Sequence, residues 1–223
     1  MAGPTKKSQS RERSKQQAER TRKLAAQTFL SLDGVMQAPG GPDEDRDGGF
    51  RHGGWSMTYW DERMGQIMDK SMTDLDTLLL GRKTYDIFAD YWPKHRDQAG
   101  ATPLNRATKY VASRTRRRLE WEHSQLLEGD AATTVAELKQ QPGSTIHVIG
   151  SSNLLQTLLK ADLVDELDLW VFPVILGSGK RLFQDGAIPS AWKLKDSDVS
   201  TTGVIIQRYE RAGAIKYGSP PRS

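Results

Sequence analysis

TIHVIGSSNLLQTLLK, residues 145–160, holds a strand, a turn and a helix in one stretch. Thr145 to Ile149 is short and rich in β-branched residues, as a buried strand requires, and it stops at Gly150. Beyond it Leu154, Leu155, Leu158 and Leu159 fall on one helical face, with Ser151 or Ser152 available as N-cap, so a helix is expected over 151–160. Small residues at Gly150, Ser151 and Ser152, followed by Asn153 and Leu154, let the backbone approach a pyrophosphate closely where a helix dipole favours negative charge. A strand running straight into a helix is also the building unit of a parallel sheet covered on both faces.

The same alternation extends in both directions. Upstream, the spacing predicts strands over Leu24–Leu32, Thr77–Leu80 and Lys109–Ser113, with helices over Thr58–Met72, Arg82–Ala89 and Ala131–Gln140. Met36 to Gly54 carries six glycines and two prolines and reads as a long irregular loop, a length usually kept for function. Downstream, Leu167, Leu169 and Val171 alternate as a strand. Lys193–Ser200 and Val204–Glu210 flank Thr201-Thr202-Gly203 as a closing antiparallel hairpin. The expected architecture is an α/β domain with a mostly parallel sheet, which binds ligands at the carboxyl ends of its strands.

Of the 223 residues, none is cysteine, so disulfides and thiolate zinc sites are excluded. The net charge of +4 is concentrated in Met1–Lys23, where eight Lys or Arg stand against two Glu. Residues 1–23 read as a disordered basic tail, 24–212 as one domain and 213–223 as a flexible C-terminal tail. With the charge in the tail, the body is slightly acidic, so a nucleic-acid partner is not expected. No apolar run reaches the length of a membrane span, and a cytoplasmic location is the default reading.

Three of the predicted strand ends carry anion-binding chemistry. Gly81-Arg82-Lys83-Thr84 puts two cations and a hydroxyl at a strand-to-helix junction, which suits a phosphate or, equally, a solvated helix start. Ser113-Arg114-Thr115 offers hydroxyls and a guanidinium fork fit for a 2′-phosphate, with no acidic residue expected beside it; Arg116 to Arg118 are left to solvent. The third is Gly150 to Leu154. Neither the Rossmann fingerprint nor a Walker loop is present, since Gly177-Ser178-Gly179-Lys180-Arg181 lacks the required spacing. Asp43, Asp45, Asp47 and Gly48 open like a calcium loop, but Gly54 stands at the twelfth position and no metal is predicted.

Together with Ser31-Leu32-Asp33-Gly34, Val111-Ala112-Ser113-Arg114, Asp165-Glu166-Leu167 and Pro173 to Phe183, these motifs run in an order that resembles the dihydrofolate-reductase-like superfamily. Within it, the chain is similar to the C-terminal reductase domain of the riboflavin-biosynthesis protein RibD. The resemblance implies a three-layer α/β/α domain, NADPH as cofactor, hydride delivery to a small pteridine- or pyrimidine-like heterocycle, and a plausible homodimer. It assigns the cofactor phosphates to Gly81, Arg82, Lys83 and Thr84, the 2′-phosphate to Ser113, Arg114 and Thr115, and the pyrophosphate to Gly150, Ser151, Ser152, Asn153 and Leu154. Val35 to Trp55 looks like the loop that closes over nicotinamide. Asp33 or Asp61 would be the catalytic acid, each with an alternative as a turn or helix residue. A noncatalytic NADP-binding regulator and a nucleic-acid-associated protein acting through the basic tail are the rival classes.

Overall fold

A computed structural model describes residues 21–219. Its centre is an eight-stranded sheet in the order β4-β3-β2-β5-β1-β6-β8-β7. The strands are β1 (Leu24–Ser31), β2 (Thr77–Gly81), β3 (Thr108–Ala112), β4 (Ser124–Leu127), β5 (Ile146–Ile149), β6 (Glu166–Phe172), β7 (Ala191–Val199) and β8 (Ile205–Gly213). β4 through β6 pair in parallel, and β8 joins β6 and β7 antiparallel. β1 lies in the middle and is buried almost throughout, which is why Leu24 to Leu30 reads as an apolar run and not as an alternating strand.

Among the described residues five α-helices cover the sheet: α1 (Glu62–Ser71), α2 (Arg82–Tyr91), α3 (Ala101–Arg106), α4 (Ala131–Lys139) and α5 (Ser152–Lys160). On one face Met64, Ile67, Met68, Tyr85 and Leu104 pack against Leu78, Leu80, Val111, Trp170 and Phe172. On the other, Val135, Leu138, Leu154, Leu155 and Leu158 pack against Leu24, Ala26, Leu79, Ile146, Val148 and Leu167. These are the three layers of the dihydrofolate-reductase-like fold expected from the sequence.

The structure adds two elements that the spacing did not show, α3 and β4. Both are short, and β4 holds only Leu126 and Leu127 as an apolar pair, too little for a period to be read. The domain also begins earlier than residue 24. Arg22, read as tail, is buried; its Nε donates to the Ser144 carbonyl at 2.6 Å and its NH2 to Thr77 Oγ1 at 2.7 Å. Lys23 pairs with Glu166 at 2.6 Å. Two cations that look like part of a solvated run therefore fasten the start of β1. The remainder of the basic tail, residues 1–20, lies outside the described residues, and so does the end of the chain from 220 on.

Candidate active site

The carboxyl ends of β2, β3, β4 and β5 open on one cavity of about 1380 Å³. This exceeds the roughly 300–1,000 Å³ of an ordinary small-molecule pocket and leaves room for two ligands. At its floor the two predicted phosphate turns are tied together. The Gly81 N–H donates to Ser151 Oγ at 2.9 Å, the Ser151 N–H to Thr84 Oγ1 at 3.1 Å, and the Gly150 N–H to the Gln27 carbonyl at 3.1 Å. Gly150 and Ser151 both have positive φ, +57° and +63°, so the chain leaves β5 in a left-handed kink before α5 begins. Ser151 occupies the N-cap position of α5 without bonding the first turn, because its hydroxyl is spent on Gly81 and on the Ile149 carbonyl. This corrects the expected serine cap. α2 likewise starts at Gly81 with no side-chain cap. Two helix N-termini with uncapped first turns thus meet at one wall of the cavity, whereas Asp61 and Asp130 cap α1 and α4.

Ser113, Arg114 and Thr115 also line the cavity, beyond the end of β3. Ser113 Oγ accepts from the Thr115 and Arg116 N–H groups at 3.2 and 2.9 Å, which folds the turn and holds the Arg114 side chain out in solvent. Asp130 lines the cavity here as well, against the expectation of no nearby acid. Its carboxylate is occupied in capping α4, and hydrogen bonds from the Thr133 N–H and hydroxyl keep it below the usual carboxylate range. Arg116, left to solvent by the sequence reading, instead pairs with Asp86 at 2.8 Å. Asp86 also takes Arg82 at 3.0 Å, so Arg82 is directed along its own helix.

Lys83 is held elsewhere than expected. The loop after β1 brings Asp45 and Asp47 down onto it, with Lys83 Nζ 3.0 Å from Asp45 Oδ1 and also bonded to Asp47. Lys180 closes the cluster at 2.5 Å from Asp45 and 2.8 Å from Asp47. Hydrogen bonds from Lys180 and Lys83 hold the Asp47 carboxyl at about 2. Burial pushes Asp45 up, but the same two ammonium groups outweigh it and leave its carboxyl below the ordinary value. Of the aspartates that resemble a calcium loop, Asp45 and Asp47 are therefore partners of two lysines, and Asp43 pairs with Arg46. The loop itself is fastened by the Trp55 indole N–H to the Gln37 carbonyl at 2.9 Å and by Gln37 Nε2 to the Asp45 and Asp47 carbonyls, both at 3.1 Å.

The two predicted catalytic acids lie outside the cavity lining. Asp33 accepts from Ser31 Oγ at 2.7 Å, from the N–H groups of Leu176 and Gly177 at 3.1 and 2.9 Å, and from Arg181 at 3.3 Å. Burial alone would raise its carboxyl; these donors outweigh it and hold it far below the usual range. Asp33 is a staple between the turn after β1 and the segment after β6. Asp61 caps α1 by accepting from the Met64 N–H at 2.7 Å. Its second oxygen takes the Thr201 N–H and hydroxyl at 2.7 and 2.6 Å, tying α1 to the β7–β8 turn.

The far end of the cavity was not legible in the motifs. Because Gln27 pairs with Ile149, the last residue of β5, β1 runs on past its neighbour and lays Gln27, Thr28 and Phe29 along the cavity. Met57, Trp60, Met68 and Met72 close it from the side of α1; Phe88, Tyr91, Trp92 and Leu104 close it from α2 and α3. Trp60 stacks on Trp170 with centroids 6.2 Å apart and rings 6° from parallel, and lies 6.3 Å from Phe29. The only sequence signal for these residues was helical spacing at Trp60, Met68 and Met72, which core packing produces equally well.

Fold and cavity together define a three-layer α/β protein with a cradle of two uncapped helix N-termini at its strand ends and an apolar chamber beside it. The chain belongs to the RibD C-terminal domain family, which matches residues 22–206. It is 34% identical over 149 residues to the uncharacterized Bacillus subtilis protein YyaP, covering 62% of this chain and 79% of that protein. Among solved structures it is similar to a provisionally assigned riboflavin biosynthesis protein from Shewanella sp. PV-4, with a TM-score of 0.63 and 22% identity over 85% of this chain and 98% of that one. It is also similar in fold to the diaminohydroxyphosphoribosylaminopyrimidine deaminase/5-amino-6-(5-phosphoribosylamino)uracil reductase of Thermotoga maritima. There the TM-score is 0.55 and the identity 13%, over 87% of this chain and 58% of that one. Among the described residues no helix is long and apolar enough to cross a membrane.

Proposed function

We propose that the chain is an NADPH-dependent reductase acting on a small heterocycle, as its family membership suggests. The observation that carries this reading is the pair of uncapped helix N-termini, locked together through Ser151 and Thr84, beside an apolar chamber in the same cavity. The backbone N–H groups that open α2 and α5, at Arg82 to Thr84 and Ser152 to Leu154, would hold the cofactor's phosphates. Ser113, Arg114 and Thr115 would take the 2′-phosphate, since Arg114 extends into solvent at the cavity rim.

NADPH supplies a hydride when bound; the protein supplies position and surroundings. Phe29, Trp60 and Met68 line the chamber, and low polarity there would strengthen each remaining polar contact. Lys83 and Lys180 already carry carboxylate partners, so an incoming phosphate has to compete with Asp45 and Asp47 for them.

A second reading, a noncatalytic NADP-binding protein, is favoured by one observation: Asp33 and Asp61 are both spent on structure, and no acid lines the apolar chamber among the described residues. Stopped-flow NADPH oxidation against a panel of pteridines, pyrimidinediones and flavins separates the two. Oxidation with at least one member supports the reductase. Tight NADPH binding with no oxidation across the panel supports the noncatalytic protein.

A further inference from the structure

We infer that the second ligand of the cavity is an uncharged, unphosphorylated fused-ring heterocycle whose hydrogen-bonding edge is read by the side-chain amide of Gln27. The inference rests on the reductase reading of this cavity and narrows its substrate class.

Its first support is the distribution of charge. Every charged residue lining the cavity belongs to the acidic loop (Asp43, Glu44, Asp45), the cradle (Arg82, Lys83), the β3 and β4 ends (Arg114, Asp130) or Lys180. Among the described residues, the chamber formed by β1, α1, α3 and the second half of α2 is lined by none. A phosphate placed there would lose its hydration without a cation or helix N-terminus to replace it, which disfavours a charged ligand strongly. A flat neutral ring loses little and gains contact with Phe29, Trp60, Phe88 and Trp92.

Gln27 is the second support. Gln27 and Phe29 are two residues apart on β1 and so point to the same face of the sheet, the face covered by α1. Gln27 is 5% exposed, yet among the described residues its amide nitrogen has only the Met68 sulfur, at 3.4 Å, as acceptor. A thioether is a weak acceptor, so a buried amide so placed is under-satisfied and gains by trading the sulfur for a ligand carbonyl. An amide carries both donor and acceptor and so matches the N–H/C=O edge of a pyrimidinedione or pteridinone ring. A site that reads such an edge rejects rings lacking it far more strongly than an apolar pocket rejects a changed methyl group.

Riboflavin and FMN carry the same fused ring and differ by one phosphate, which makes them the probes. Their affinities are measured by flavin fluorescence quenching, with and without saturating NADPH, on the full chain and on Gln27→Leu. The expected result is riboflavin bound about tenfold or more tighter than FMN, with Gln27→Leu weakening riboflavin by about tenfold and leaving NADPH affinity unchanged. Equal or tighter FMN binding overturns the inference, as does an unchanged riboflavin affinity in Gln27→Leu or no riboflavin binding at all. NADPH titration of the same samples tests the parent reading separately. Absent NADPH binding with riboflavin still preferred over FMN removes the cofactor assignment and leaves the chamber's preference standing.

Discussion

Replacing Asp33 by Asn distinguishes a structural carboxylate from a catalytic one. Its Oδ1 accepts from Ser31 Oγ and the Leu176 N–H, and its Oδ2 from the Gly177 N–H and Arg181. The amide keeps one oxygen, so two of these four donors meet an NH2 group and the negative charge opposite Arg181 is gone. Hydrogen bonds to charged groups contribute roughly 1.5–3 kcal/mol each when buried and less when partly exposed, as Gly177 and Arg181 are. The expected loss is therefore about 2 kcal/mol, or roughly 4–8 °C in Tm for a domain of this size. Because its folded pKa is depressed below 3.8, the carboxylate's contribution is complete above that value and disappears as pH falls further, so the difference between wild type and Asp33→Asn narrows in acid. Thermal unfolding monitored by near-UV circular dichroism at several pH values measures this, with NADPH titration alongside. An Asn variant with wild-type Tm, intact NADPH affinity and a kcat reduced by about a hundredfold or more would refute the structural role and restore the catalytic one.

Three further outcomes follow from the site. Arg114→Ala is expected to weaken NADPH by about tenfold and leave NADH unchanged in fluorescence titration; equal losses for both would remove Arg114 from the 2′-phosphate. Asp45→Asn combined with Asp47→Asn releases Lys83 and Lys180 and should tighten NADPH by a few-fold at low salt, an effect that fades at high ionic strength because the cluster is partly solvated. With Asp47 held at about 2 and Asp45 also lowered, both carboxylates stay charged between pH 5 and 8, and a change in the effect across that range would count against the ion pairs. Burial pushes Asp168 up to about 6 against the opposing pull of Arg208 and the Trp170 indole N–H. The folded chain then binds a proton that the unfolded chain releases near 3.8, so this group's contribution to stability falls as pH rises from about 4 to 6. Asp168→Asn should flatten the stability profile by on the order of 1–3 kcal/mol across that window in urea titrations; a profile parallel to wild type contradicts it.

What was legible in the sequence was whatever repeats with a period or sits at a turn. The helix of residues 151–160 follows from periodicity, β1 and β2 from apolar runs that stop at a turn glycine, and the closing hairpin from its turn residues, and the motifs at Gly81, Ser113 and Gly150 all reach the cavity because parallel strands deliver their ends to one edge. Partnership was not legible. Lys83 and Asp45 are far apart in the chain, and only the folded loop shows that each neutralises the other. Asp33 and Asp61 look alike in sequence to catalytic acids because a carboxylate beside a turn or helix start serves either purpose; their donors at Gly177 and Thr201 are more than a hundred residues away. The apolar chamber escaped notice for a different reason. Phe29, Trp60 and Met68 have core periodicity, and only the extension of β1 past β5 turns part of that core into a wall.

Backbone amide chemical shifts followed during an NADPH titration show whether the joined N-termini of α2 and α5 hold the phosphates of NADPH. The amides of Gly81 to Thr84 and Gly150 to Asn153 are expected to move together and saturate with one dissociation constant, while those of β7 stay in place. Saturable NADPH binding that leaves these amides unmoved, or no shift at any amide up to about 1 mM cofactor, would contradict it.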